Sequence, residues 1–296
     1  MHKICAGIIL YNPDLQRLSE CIGAISPQVS KIIFIDNGSG NHDRIYDSYN
    51  DPNKYIWIKN DSNSGIAKAL NQIIQRAGDI GFEWVLTLDQ DSVCCPDIIG
   101  LFSSYTANHP ETGVISPYVL DINITGLDEY SKLDLREYEE IKMCITSGSL
   151  TNIEIARKLG GFNEKLFIDH VDHDFCLRLY RSGYNILRVN RAWILHEIGK
   201  IKSIYIFPGI GKLTGIKWFL RPKHPTNHPP VRIYYQTRNL LYMLRKYKSE
   251  YNERPFYCWN KFFLSICMRV VYEDQKIKKI SAFLKGFFNG LFISTD

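Results

Sequence analysis

Residues 84–92 read WVLTLDQDS, an apolar run that stops abruptly at two carboxylates spaced two apart. A buried strand ending this way holds Asp89 and Asp91 at the carboxyl edge of a sheet, where open α/β sheets bind their ligands. In an extended segment residues two apart point the same way, so both carboxylates can converge on one cation. Two hard oxygen ligands on a rigid strand end, with positions left open, suit Mg²⁺ or Mn²⁺ carrying a diphosphate. A plainer role is open to the same string: Asp91 or Ser92 capping a helix after Pro96.

Upstream of this run, strand-like and helix-like segments alternate. Ile4–Tyr11, Lys31–Asp36 and Tyr55–Ile58 are short strand-like runs, and the first two are halted by Asn12-Pro13 and Asn37-Gly38-Ser39-Gly40. Leu15–Ile25 has helical spacing, and Ser64–Ala77 puts Ile66, Ala69, Leu70, Ile73 and Ile74 on one face. This βαβαβαβ order predicts a mostly parallel sheet with right-handed crossovers and helices on both faces. Downstream, residues 118–143 are acidic and weakly patterned and read as an insertion or loop over the site. Helices are expected at Asn152–Leu159 and Val171–Ser182, and strands at Asn185–Val189 and Trp193–His196. The expected organisation is a domain over 1–200, a Gly/Pro/Lys-rich linker or flap over 201–231 and a helical region over 232–296.

The 296 residues suffice for a full core, and 45% hydrophobic with 23% charged content is ordinary for a globular chain. The net charge of +5 conceals an asymmetry. Residues 1–196 carry 18 Lys+Arg against 25 Asp+Glu, whereas 197–296 carry 18 against 6, so the tail favours an anionic partner. Eight cysteines without a C-x-x-C pair point to a reducing compartment. Ile4–Tyr11 is too short for a signal peptide, and no apolar stretch reaches the roughly 18 residues of a spanning helix. A cytoplasmic protein is expected.

Four polar or acidic strand ends, Tyr11-Asn12-Pro13, Asp36–Ser39, Asn60–Gly65 and Asp89–Ser92, fall on one edge of a parallel sheet and surround one crevice. Exposed amides and a carboxylate for a ring N–H or ribose hydroxyl fit a nucleotide there. Each is also ordinary turn chemistry taken alone. No G-x-G-x-x-G follows the first strand, which disfavours a dehydrogenase-type dinucleotide fold. Gly148, in Thr146-Ser147-Gly148-Ser149, suits a point where backbone must approach a donor ligand closely.

The strings IILYNP (8–13), FIDNGS (34–39), NSGIAKALN (63–71), LTLDQDS (86–92), TSGSL (146–150), GGFNEKLFIDHVDHDFCLRLYRSGY (160–184) and ILHEIG (194–199) together resemble glycosyltransferase family 2, which has the GT-A fold. The resemblance covers about residues 4–200 in the family's order. It implies that Tyr11, Asp36, Asn63 and Gly65 cradle the nucleotide of a sugar-nucleotide donor. It further implies that Asp89 and Asp91 hold the divalent metal on the diphosphate, and that His196 adds a ligand. A lone His at a strand end is otherwise structural.

By the same resemblance Asp172 is the general base that takes the acceptor hydroxyl's proton, although Val171 stands where the family usually has Glu. Asp169 or Asp172 as a helix cap is the alternative. The D-Q-D-S string resembles bacterial rhamnosyltransferases of O-antigen and polysaccharide synthesis. The implied reaction is inverting transfer of L-rhamnose from dTDP-L-rhamnose to a lipid-linked surface glycan. A galactofuranosyl- or glucosyltransferase using a UDP-sugar is the near alternative. A metal-dependent phosphohydrolase built on Asp169, His170, His173 and Asp174, or a non-catalytic carbohydrate-binding relative, would be a different class.

In the tail, Lys261, Ser265 and Arg269 form one narrow polar stripe over Phe256–Tyr272, and Ser281, Lys285 and Asn289 form another over Ser281–Phe292. Two arrangements fit: helices packed with one wet edge, or interfacial helices on an anionic inner leaflet of the plasma membrane, helped by Lys276, Lys278 and Lys279. No nucleic-acid reader motif is present, so nucleic acid is not expected as a partner. Arg238 could reach a phosphate or be a solvated surface residue.

Overall fold

A computed structural model describes residues 3–121, 130–196, 228–251 and 255–295, without the side chains of 121, 251, 255–258, 268 and 270–272. Two compact units divide the chain, Met1–Glu197 and Ile198–Asp296. In the first, the described strands form a nine-stranded mixed sheet. They are β1 (Ile4–Leu10), β2 (Ile32–Asp36), β3 (Tyr55–Lys59), β4 (Trp84–Asp89), β5 (Val93–Cys94), β6 (Thr112–Asp121), β7 (Tyr138–Glu140), β8 (Ser149–Asn152) and β9 (Asn185–His196). The order is β3-β2-β1-β4-β8-β6-β9-β5, with β7 on β9.

The first four strands are parallel, as the alternation predicts. Because β2 and β3 lie on one side of β1 and β4 on the other, strand order reverses at β1, which opens the crevice between β1 and β4. Beyond β4 the pairing changes: β8 is antiparallel to both β4 and β6, while β6 and β9 are parallel.

Helices α1 (Leu15–Ile25), α2 (His42–Ser48), α3 (Ile66–Asp79), α4 (Ile98–Thr106), α5 (Ile153–Lys158) and α6 (Val171–Arg181) flank the sheet. Asp14 caps α1, its carboxylate accepting from the Gln16 and Arg17 amides at 3.0 Å. The buried face of α1 is Leu18, Cys21, Ile22 and Ile25, spaced at helical intervals. On α3, Ala67, Ala69, Leu70, Ile73, Ile74 and Ala77 are buried, and Ile73 fills the space a side chain at Gly7 of β1 would need.

Several elements differ from the sequence reading. Residues 118–121 continue β6 and 138–140 form β7, so both ends of the expected 118–143 loop carry strand; 122–129 lie outside the described residues. The helix after Pro96 starts only at Ile98 behind Asp97, so neither Asp91 nor Ser92 caps it. Asn185–His196 is one strand with a register jump opposite Pro117 and Tyr118, where two strands were expected. Of the linker at 201–231, residues 201–227 lie outside the described residues, and a helix already begins at Pro230.

The second unit contains α7 (Pro230–Lys246), α8 (Lys248–Tyr251), α9 (Pro255–Tyr272) and α10 (Lys276–Phe292). Gly286 and Gly290 let α10 approach the α7 backbone: a Cβ there would fall 2.5 Å from the Tyr234 carbonyl and 2.9 Å from that of Arg238. Lys279 and Glu273, both buried, pair at 2.7 Å. Arg238 is mid-helix, its guanidinium over the Tyr235 ring and hydrogen-bonded to Asn239.

A Cβ on Gly7 would come within 2.4 Å of Ile73 Cγ2. Gly7→Val should therefore lower unfolding free energy by about 1–3 kcal/mol in urea titrations. Adding Ile73→Ala should recover part of that loss, and simple additivity of the two changes would show that this contact is not the cause.

Candidate active site

The site is built from the loops that leave the carboxyl edge of β1, β2, β3 and β4. Tyr11, just past β1, is half exposed. Its amide donates to Gln90 Oε1 at 2.8 Å, and Gln90 Nε2 donates back to the Tyr11 carbonyl at 3.3 Å. The middle residue of the Asp-Gln-Asp triplet thus straddles the β1/β4 crevice and ties its two rims together. Asn12, at φ 47°, accepts from the Gly40 amide at 2.8 Å on its side chain and donates its own amide to Ser39 Oγ at 2.9 Å.

Asp36 ends β2 and is fully buried. One oxygen accepts from the Ser39 amide at 2.9 Å and the other lies against His42 Nδ1. Its carboxylate shapes its own turn, so a base N–H would have to share it with His42. Next to it, Asn37 is a hub. Its Oδ1 accepts from Asn60 Nδ2, the Ser64 amide and the Ser64 hydroxyl, while its Nδ2 donates to Asn63 Oδ1 and the Gly65 carbonyl. Asn63 also accepts from the Gly65 amide at 3.0 Å. Both Asn63 and Gly65 are therefore held to the end of β2.

Gly65 has φ 88°, and a Cβ there would meet the Phe167 ring and backbone at 2.6–2.9 Å. The Ile66 amide donates to the Phe167 carbonyl at 2.7 Å. The donor-side loop thereby abuts the segment leading to α6. In that segment Phe167, Asp169 and His170 all have φ near +62°, a conformation that is strained for side-chain-bearing residues and clusters at functional sites.

Two carboxylates of α6 have separate environments. Asp174 is fully buried and pairs with Arg178 Nε at 2.8 Å, while the same guanidinium donates to the Leu159 and Gly161 carbonyls. Asp174 anchors the helix to the Gly160-Gly161 turn. Asp172 is partly exposed in the first turn, accepts from the His173 amide at 2.9 Å and is not the N-cap, which is His170. With Asp174 committed to Arg178, the phosphohydrolase set of Asp169, His170, His173 and Asp174 lacks one of its ligands.

Asp89 and Asp91 lie at and just beyond the end of β4. The Asp89 amide donates to Ser147 Oγ, and the Asp91 carbonyl accepts from Arg17. The nearby Cys21 thiol is pushed well up, first by burial and then by Cys94, Asp91 and Asp89. His196 ends β9 with Nδ1 2.9 Å from Ser92 Oγ. Gly148, at φ 76°, is needed for packing: a Cβ would strike Ile194 and Pro117 at 2.6–2.9 Å.

Among the described residues, no group of three or more His, Cys, Asp or Glu is gathered to hold an ion alone. Asp89, Asp91 and His196 are therefore not gathered as one ligand set; the two carboxylates alone would match a nucleotide-bound Mg²⁺ or Mn²⁺, which takes one or two and completes its shell with phosphate oxygens. Sequence reasoning missed Asn37, Ser92, Ser147 and the role of Gln90. All four were inside the quoted strings, but their partners are far along the chain.

His170 Nδ1 is shut from solvent without a hydrogen-bond partner. Burial first, then His173, pushes this imidazole down to about 4 against an opposing effect of Asp172. An unfolded His titrates near 6.5, so between 6.5 and 4 the unfolded chain binds the extra proton. Stability from this site is full above about 6.5 and is lost as pH falls through that window. His170→Gln should flatten the acid limb of urea midpoints between about pH 7 and 4; an unchanged slope would remove His170 as its cause.

Residues 5–177 match the family model described as glycosyl transferase family 2. The dTDP-rhamnosyl transferase RfbF of Shigella flexneri is 30% identical over 258 residues, covering 82% of this chain and 80% of that protein. The structure of S. aureus TarS 1–349 in complex with UDP-GlcNAc aligns with TM-score 0.55 and 13% identity, over 98% of this chain and 72% of that one. That of GalNAc-T7 with UDP, GalNAc and Mn²⁺ aligns with TM-score 0.56 and 12% identity, over 66% of this chain but only 44% of its own length. At these identities the two structures speak for the fold alone, and it is the GT-A fold. With a family model spanning more than half of the chain and a relative aligned over most of it, the chain belongs to glycosyl transferase family 2 and is a glycosyltransferase.

Proposed function

We propose that this enzyme transfers L-rhamnose from dTDP-L-rhamnose, with inversion, to a lipid-linked surface glycan such as an O-antigen precursor. The observation that carries the donor assignment is the 30% identity to a dTDP-rhamnosyl transferase over 82% of the chain. Tyr11, Asp36, Asn63, Gly65, Asp89 and Gly148 are assigned to the donor, and their convergence on one sheet edge and its loops supports that reading. Asp89, Asp91 and His196 are assigned to a divalent cation, Mg²⁺ or Mn²⁺. Bound there, it would offset the charge of the leaving diphosphate.

Asp172 is the proposed base, and its partial exposure in the first turn of α6 supports the assignment over the buried, Arg178-paired Asp174. It accepts the acceptor hydroxyl's proton as that oxygen attacks the anomeric carbon from the face opposite the diphosphate. Catalysis is assigned to residues 1–200 and attachment to 232–296, with 201–231 between them.

Attachment would be to an anionic bilayer at the cytoplasmic face, and the support is an exposed apolar stripe flanked by lysines. Only the last residue of each polar stripe reaches α7, Arg269 donating to Gln236 and Asn289 to the Tyr234 hydroxyl, each at 2.8 Å, while Lys261, Ser281 and Lys285 are exposed. Ile277, Ile280, Leu284, Phe288 and Leu291, one helical stripe on α10, are left exposed beside Lys276, Lys278 and Lys285. Among the described residues no helix is long and apolar enough to cross a membrane, so the proposed contact is interfacial.

Asp172→Asn should cut turnover by about two to four orders of magnitude with donor binding nearly intact. Asp91→Asn and EDTA should each weaken donor binding and activity together. Near wild-type turnover in Asp172→Asn would remove it as the base, and full turnover in EDTA would remove the metal.

The donor is tested by offering dTDP-rhamnose, UDP-glucose and UDP-galactofuranose with one lipid-linked acceptor, where preferred transfer from dTDP-rhamnose is expected. Preference for either UDP-sugar would overturn the rhamnose assignment and leave the metal and base to stand. Cosedimentation with phosphatidylglycerol vesicles should be lost in Leu284→Glu/Phe288→Glu, and retention would return these helices to a packing role.

A further inference from the structure

Three distant segments meet through side-chain hydroxyls behind the Asp89–Asp91 turn. The Asp89 amide donates to Ser147 Oγ at 3.0 Å. Ser147 Oγ is 2.8 Å from Ser92 Oγ, which is 2.9 Å from His196 Nδ1. Ser92 is 0% and Ser147 2% exposed, so water does not compete for these bonds. The bend that carries Ser147 is held separately, by Thr87 Oγ1 on the Thr146 carbonyl and the Gly148 amide on the Thr87 carbonyl, each at 2.7 Å. Neither hydroxyl is therefore required to form the bend.

Each hydroxyl has one proton to donate, so a chain in which Ser92 donates along it runs in one of two directions. With Ser147 donating to Ser92 and Ser92 to Nδ1, the neutral imidazole carries its proton on Nε2. With Nδ1–H donating to Ser92 and Ser92 to Ser147, Nε2 has a free lone pair. The Asp89 amide is a donor in either case and ties the relay to the carboxylate turn.

We propose that Ser92 and Ser147 are positioning residues that orient the His196 ring and select which of its nitrogens carries the proton. Turning the two hydroxyls around frees Nε2 as a ligand when a donor-bound cation arrives. The link between ligand tautomer and outer hydrogen bond is general for histidine ligands. This inference rests on the assignment of His196 to the cation, and its test separates the two.

The full chain with ¹⁵N-labelled histidine is followed by long-range ¹H–¹⁵N correlation, with the His196 signals assigned by their loss in His196→Gln. One neutral tautomer is expected in the metal-free wild type, and a mixture in Ser92→Ala and in Ser147→Ala. In the presence of dTDP, Mn²⁺ affinity should fall by about 10–100-fold in Ser92→Ala. If Ser92→Ala does not fold, Ser147→Ala carries the test, because its bend is held by Thr87. The same single tautomer in wild type and variants overturns the proposal. Mixed tautomers in the variants, with no response of wild-type His196 to Mg²⁺ and dTDP, uphold the relay and remove His196 from the cation.

Discussion

The parallel register of β1, with β2 on one side and β4 on the other, governs where this protein can do chemistry. Leu10 pairs with Asp36 and Ile9 with Asp89, so three chain segments reach the same edge of the sheet at the same height. Since strand order reverses at β1, a crevice is left between β1 and β4 at that edge. The gap must be spanned by side chains, and Gln90 does so with two hydrogen bonds to the Tyr11 backbone. The residue between Asp89 and Asp91 thus serves as a brace across the crevice.

Loops packed this closely bury polar groups, and each such group needs a partner because water is excluded. Asn37 meets this demand for the β2 and β3 loops with one amide that both donates and accepts twice or more. On the other side of the crevice, Ser147 and Ser92 do the same for the Asp89 turn and for His196. The two networks make the rims rigid before any ligand is present, which is the preorganisation that transfer chemistry exploits. The strained run Phe167–His170 joins them to the helix of Asp172, through the Phe167 carbonyl and the close approach of Gly65.

The second unit follows a different rule. Its helices send Arg269 and Asn289 to partners on α7 and expose Phe263, Leu264, Leu284 and Phe288. In water alone such an arrangement is unfavourable, since burying apolar surface is the main driving force of folding. Glycines at 286 and 290 allow α10 to compensate with close backbone packing on α7.

Much of this was legible in the sequence, because strand and helix periodicities are local and the first four strands, α1 and α3 follow them within a residue or two. The carboxylates at the end of β4 and the polar ends of β1 and β2 were likewise readable, since a buried strand must stop where charge begins. The antiparallel insertion of β8 between β4 and β6 was not, nor was the two-residue β5, because pairing between segments roughly 35 to 100 residues apart leaves no periodic trace. The i,i+4 spacing offers Arg178 to Asp174, but only the fold buries Asp174 and brings the Gly160-Gly161 turn onto the same guanidinium. Sequence thus determined which residue types stand at the sheet edge. Tertiary structure decided which of them are engaged, because a side chain's partner is set by distances in space that the spacing along the chain does not encode.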